Sequence, residues 1–383
     1  MLTKLRLLAA LFTTVVVCAL AMTVSASASN SMLLGLFDDG VTLDPATNSF
    51  PLLSSLHVQV VRMTLSWGGP GGVGNKRPAD PADPSDPAYD WARYDQALER
   101  ANDAGIQLLL TIVGTPAWAN GGKSPQHPPT SADDLRAFSY AAAQRYSGTF
   151  LDTASGRVLP RVGLWLAWNE PNNPVFLQPQ FARYRGTWKM AAPAAYARIC
   201  NAVYSGIHDA GGPEQVACGA TAPRGSNNPS GPRPSIAPLA FLRSAKQHGL
   251  RTFDAWADHP YYGSPADTPA TRNVGGGAIE LGNIDKLIST VTHLYGKKPI
   301  WITEYGYQTD PPDTFFGVSW TKQAAYLRQA YAIARANPRI DLFTWFLLKD
   351  SSSLDGWQSG LITADGRKKP SFEAFAGLGA ESL

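Results

Sequence analysis

Two glutamates stand in settings that suit acid–base chemistry. Glu170 lies in the run Leu164–Pro174, LWLAWNEPNNP, where five apolar residues stop abruptly at Asn169. Glu304 lies in a second such run, Pro299–Tyr307, PIWITEYGY. Pro171 has no amide hydrogen and restricts the residue before it, so a buried strand ends there. Each carboxyl is thus set at the mouth of an apolar scaffold. Cleaving a glycosidic bond needs one carboxyl to protonate the leaving oxygen and a second to attack the anomeric carbon or activate water. Carboxyls about 5–5.5 Å apart give retention, and a wider spacing gives inversion. The competing reading of either residue is an ion pair with an arginine inside the fold.

The elements that must carry this pair follow one alternation. Strand-like runs are predicted at Met32–Phe37, Val58–Trp67, Ile106–Val113, Val162–Trp168, Gln215–Thr221, Phe253–His259, Pro299–Glu304 and Ile340–Leu347. Helical patterns lie between most of them, over 89–104, 131–146, 194–210, 238–248, 281–295 and 319–336, and several end at Gly before the next strand. Near-continuous apolar strands alternating with helices indicate a parallel sheet covered on both sides. Eight such units close a single (β/α)8 barrel. An open doubly wound sheet is the alternative, but no Gly-rich phosphate loop follows the first strand. Long insertions fall after strands and short connections before them, with 147–161 the exception, so one end of the barrel is elaborated to bind something. Glu170 and Glu304 end strands four and seven.

Lys4 and Arg6 precede an apolar run from about Leu7 to Val24, and Ala26-Ser27-Ala28 is a small-x-small site. This pattern predicts a signal peptide over 1–28, cleaved after Ala28, with an uncleaved anchor as the alternative. About 355 residues remain, 29–383, enough for one α/β barrel. The protein is expected to be secreted, monomeric and free of membrane after cleavage. A net charge of +3 gives no reason to invoke nucleic acid. Eleven Trp and fourteen Tyr suit stacking on sugar rings, although core packing competes for them. No metal-ligand spacing appears among the histidines and no cofactor is implied. Cys200 falls in a helix and Cys218 on the next strand. Helix-to-sheet packing often leaves such pairs too far apart to bridge, which favours buried thiols over a disulfide.

Several segments together resemble clan A retaining glycoside hydrolases. Trp168-Asn169-Glu170-Pro171-Asn172 is similar to their acid/base segment, and Trp301-Ile302-Thr303-Glu304-Tyr305-Gly306 to their nucleophile segment. Val61 to Trp67 resembles their second strand, where an Arg lies near the nucleophile, and His259-Pro260-Tyr261-Tyr262 their sixth. The order and spacing match from Met32 to about Phe375. The Trp-Asn-Glu-Pro-Asn form resembles the xylosidase and iduronidase group, family thirty-nine, and the compact barrel resembles the cellulase group, family five. The resemblance implies Glu304 as nucleophile, held ionised by Arg62 and by Tyr261 or Tyr262. It implies Glu170 as acid/base, Asn169 on the sugar 2-hydroxyl, His259 near the site, and Trp345 as the floor of the sugar site.

Trp118, after strand three, either stacks on sugar or packs beneath a loop. Asp350, Asp355, Trp357, Asp38 and Asp39 are further candidates for subsites, while Trp67 reads as core. The substrate class expected is a poly- or oligosaccharide, β-linked, cleaved by double displacement. The rivals are a non-catalytic carbohydrate-binding or cell-wall barrel and a transglycosylase using the same residues. Mere binding does not require two carboxyls with Arg62 and Asn169.

Overall fold

The computed structural model describes residues 31–272, 275 and 277–382. The expected signal segment, with Cys18, lies outside the described residues. Eight parallel strands form a closed barrel. They are β1 (Leu33–Phe37), β2 (Val60–Ser66), β3 (Gln107–Val113), β4 (Leu164–Ala167), β5 (Gln215–Thr221), β6 (Ala255–Asp258), β7 (Ile300–Tyr305) and β8 (Ile340–Phe346). Each pairs with its sequence neighbour and β8 closes on β1, with Phe37 beside Phe346. Around the strands run α1 (Phe50–Ser55), α2 (Ala92–Asp103), α3 (Ala132–Arg145), α4 (Ala192–Asp209), α5 (Pro238–Gln247), α6 (Asp285–Tyr295), α7 (Trp320–Arg335) and α8 (Pro370–Ala380). The expected single barrel is therefore the fold. Helix starts follow their caps: Ser131 accepts from the Asp133 amide, and Ser319 from that of Lys322.

Side chains alternate across each strand and so feed two cores. Inside the barrel, Val60, Leu109, Leu166, Ala217, Ala220, Ala255, Ala257, Trp301 and Leu342 form a small cluster. Four alanines leave room for the single large indole of Trp301. A larger cluster, including Met63, Leu110, Trp165, Cys218, Ile302, Phe343 and Trp345, packs the outer strand faces against helices. Trp67 belongs to this outer core, stacked on Phe138.

The structure corrects one expectation here. Cys200 of α4 and Cys218 of β5 form a disulfide, with Cα atoms 6.0 Å apart. Both residues are buried where α4 packs on the sheet, close enough for the bond. Two antiparallel hairpins, 151–158 and 181–190, were not foreseen. Among the described residues no helix is long and apolar enough to cross a membrane.

Candidate active site

Arg62 points into the barrel from β2, two residues after inward-facing Val60. It is 1% exposed and bonded through all three of its nitrogens. Its Nη1 donates to Glu304 Oε1 at 2.7 Å and to the Thr303 carbonyl at 3.1 Å. Its Nη2 donates to Asn169 Oδ1 at 2.6 Å, and its Nε to Thr111 Oγ1 at 2.9 Å. The guanidinium also lies 4.2 Å from the centre of the Phe37 ring. One buried cation thus ties together the nucleophile candidate, the amide beside the acid/base candidate and the adjoining strand β3.

Glu304 reaches the interior through an irregularity. On β7, Trp301 faces inward and Ile302 outward, so strict alternation would turn Glu304 away. The pairing with β8 shifts register between Ile302 and Tyr305, and Tyr305 returns to the outer core. Such an extra residue re-aims a side chain, here that of Glu304. A comparable device ends β4. Trp168 has φ 71° and Glu170 φ 36°, both left-handed and unfavourable for these residue types. The Trp168 amide still bonds to the Ile112 carbonyl and the Glu170 amide to the Ala220 carbonyl, which hold the strained turn.

His259 joins the two carboxyls. Its Nδ1 lies 3.2 Å from Glu170 Oε1 and 3.6 Å from Glu304 Oε2. Its Nε2 lies 3.3 Å from Arg62 Nη1 and 3.0 Å from Thr303 Oγ1. The tautomer with its proton on Nδ1 turns that proton toward the carboxyls and leaves Nε2 to accept from the Thr303 hydroxyl. Burial pushes the His259 pKa down to about 3, with Arg62 adding to the drop and Glu304 opposing it. The ring is therefore neutral. Tyr261 donates its hydroxyl to Glu304 Oε2 at 3.0 Å, and burial followed by the charge of Glu304 holds its pKa well above the ordinary range. Tyr262 instead donates to the Phe316 carbonyl. Of the two tyrosines left open by the sequence, Tyr261 is the one on Glu304.

Glu170 accepts a 2.7 Å bond from Asn173 Nδ2 on its second oxygen. The Asn173 carbonyl oxygen accepts from the Val175 amide and from Arg233 Nη2, which fixes the orientation of its amide. Burial raises the Glu170 pKa, opposed by Asn173, Arg62 and Arg233. Asn172 is buried and bonds to Ala222 and Ile236, tying the loop after β5 to the end of β4. Glu170, His259 and Glu304 each offer one ligand-type atom within 4.8 Å of the others. Glu304 is already engaged by Arg62 and Tyr261, an environment suited to proton and sugar chemistry rather than to a cation.

Trp345 is the second correction. It is wholly buried in the outer core, and its indole N–H donates to the Ser359 carbonyl at 3.0 Å. The next residue, Phe346, takes the inward position. Its ring lies 5.4 Å from Phe37, 6.5 Å from Tyr261 and 5.5 Å from Trp357. The expected floor was one residue out of register. Of the two readings open for Trp118, the structure shows the packing one: its N–H bonds to the Gly74 carbonyl and its ring meets Trp67 edge-on. Asp350 is buried against Lys369, and Asp38 and Asp39 accept backbone N–H bonds from 348–349 and Thr64. Trp357 does line the cleft that opens beside Glu170, a space of about 700 Å³. Thr111, Thr303, Asn173 and Phe346 were missed. Asn173 is visible in the run NEPNN as an amide three residues after the carboxyl; the others carry no local signal.

The glycosyl hydrolase catalytic core family model matches residues 278–375, the segment holding β7 and β8. The fold is that of many solved glycoside hydrolases. A family 39 glycoside hydrolase from Bacteroides cellulosilyticus WH2 superposes with TM-score 0.61 at 19% identity, over 93% of this chain and 64% of that one. A glucosidase from Croceicoccus marinus gives TM-score 0.66 at 15% identity, covering 94% and 68%. A monomeric beta-xylosidase from Caulobacter crescentus CB15 gives 0.57 at 18%, covering 91% and 68%. The chain spans about two thirds of the length of these structures. No curated protein matches it in sequence. The resemblance to clan A glycoside hydrolases read from the sequence thus stands in fold and in the matched core segment.

Proposed function

We propose that the protein is an exported glycoside hydrolase that cleaves O-glycosidic bonds of a poly- or oligosaccharide, β-linked, by double displacement. The reading rests on one observation: oxygens of Glu170 and Glu304 lie within 4.8 Å, with Arg62 and Tyr261 on Glu304 and burial raising the pKa of Glu170. A close approach of this kind supports direct attack, and so retention, over the wider gap of an inverting site.

In the first step a Glu304 oxygen bonds to the anomeric carbon as the bond to the leaving oxygen breaks. Glu170 gives its proton to that oxygen. Arg62 and Tyr261 hold the attacking carboxylate, and Asn169, itself held by Arg62, meets the 2-hydroxyl. Esterification removes the charge of Glu304, so Glu170, now anionic, can take a proton from water. Water then releases the sugar with its original anomeric configuration. A transglycosylase differs only in the acceptor.

The test is a 2-deoxy-2-fluoroglycoside with a good leaving group, followed by mass spectrometry of peptides. Label on Glu304, with the first-formed product retaining configuration by proton NMR, is the expected result. An inverted first product overturns double displacement.

A further inference from the structure

The cleft beside Glu170 is lined by Glu170 but not by Glu304. It therefore faces the group that receives the proton, on the leaving-group side of the scissile bond. Its walls carry aromatic surface, with Tyr261, Phe316 and Trp357 among the lining residues. They also carry two cations, Arg224 and Arg233, and among the described residues Glu170 is the sole carboxyl of the lining. In the form that starts the reaction Glu170 is neutral, so the wall is then cationic.

The two arginines are not equivalent. Arg224 is paired with buried Glu280 at 2.6 Å. Arg233 has no carboxylate partner among the described residues; its Nη2 rests on the Asn173 amide oxygen at 3.3 Å. It is exposed but not loosely placed. Pro232 and Pro234 flank it in sequence and restrict the backbone on both sides. Asn172, two residues beyond Glu170, clamps both ends of the loop at Ala222 and Ile236. A backbone held in this way lowers the cost of presenting the guanidinium, whose fork matches planar or tetrahedral oxygens.

We propose that Arg233 recognises an oxyanion on the leaving-group side of the substrate, a uronate carboxylate or a sulfate ester on the sugar next to the scissile bond. The assignment rests on Glu170 being the proton donor. Arg233 then acts as a specificity residue, and through Asn173 it reports occupancy to the acid/base.

The experiment compares aryl glycosides of one sugar that release phenols of matched acidity: one neutral, one bearing a carboxylate and one a sulfonate. The expected result is a kcat/KM about tenfold higher for a charged leaving group, carried mainly by KM. Arg233→Gln should bring the ratio of charged to neutral near one, Arg233→Lys should restore part of it, and 0.5 M salt should reduce it. The carboxylate and sulfonate arms separate the two sources. Equal kcat/KM for all three in the wild type, or a preference that survives Arg233→Gln, overturns the proposal. If no glycoside is hydrolysed, the hydrolase reading fails on its own. Calorimetry with glucuronate and sulfated oligosaccharides then decides the anion site: binding lost in Arg233→Gln supports it, and no difference between the two proteins refutes it.

Discussion

In the proposed mechanism Glu170 is useful in the first step only while it holds a proton. Burial raises its pKa, and the Asn173 bond and nearby Arg62 and Arg233 oppose that rise. The alkaline limb of the pH–rate profile should therefore report Glu170, with activity falling as pH climbs through its raised value. Asn173→Ala removes a donor that favours the anion, so the alkaline limb should move to higher pH. A limb that stays in place or moves down would contradict the coupling. The same variant leaves Oε2 without its partner, so the second step, which needs the anion, should slow most with good leaving groups. The pair Glu170 and Glu304 was legible in the sequence because each ends an apolar run. Arg233 was not, since its meaning comes from a loop folded back on β4 by Asn172.

At the scale of elements, the eight strands were legible because both faces of each are buried and the runs read as unbroken apolar stretches. The sequence failed where strand period and strand end part company. Trp345 was assigned to the sugar site by resemblance, yet alternation from inward Leu342 turns Trp345 outward and Phe346 inward. The β7 register shift that saves Glu304 is equally invisible in a list of residues. This gives a paired prediction. Trp345→Ala should cost about 3–5 kcal/mol of stability, the range for emptying a large core site, with KM little changed in whatever protein remains folded. Phe346→Ala should leave the melting temperature nearer to wild type and lower kcat/KM about tenfold, about 1.4 kcal/mol of transition-state binding. Thermal melts and steady-state kinetics on both variants check it. The reverse pattern would restore Trp345 to the floor.

The whole barrel is closed where β8 meets β1, and Asp38 fastens that seam. Its Oδ2 accepts from the amides of Leu348 at 3.1 Å and Lys349 at 3.0 Å. Burial still outweighs these bonds and raises its pKa from 3.8 to about 6. Folding therefore favours protonated Asp38. That contribution is full below about pH 4 and is lost as pH rises through 6, a change of about 3 kcal/mol. His259 works in the other direction. Its folded pKa near 3 lies below the ordinary 6.5, so its contribution is full above pH 6.5 and is lost as pH falls toward 3. Between pH 6 and 4 the two slopes oppose each other, each about 1.4 kcal/mol per pH unit. Asp38→Asn keeps an acceptor for the two amides and removes one slope. The variant should be more stable than wild type at pH 7. It should then lose melting temperature more steeply than wild type from pH 6 to 4, as the cost of keeping His259 neutral is no longer offset. Melting curves that stay parallel over that window would show that Asp38 does not titrate at the seam.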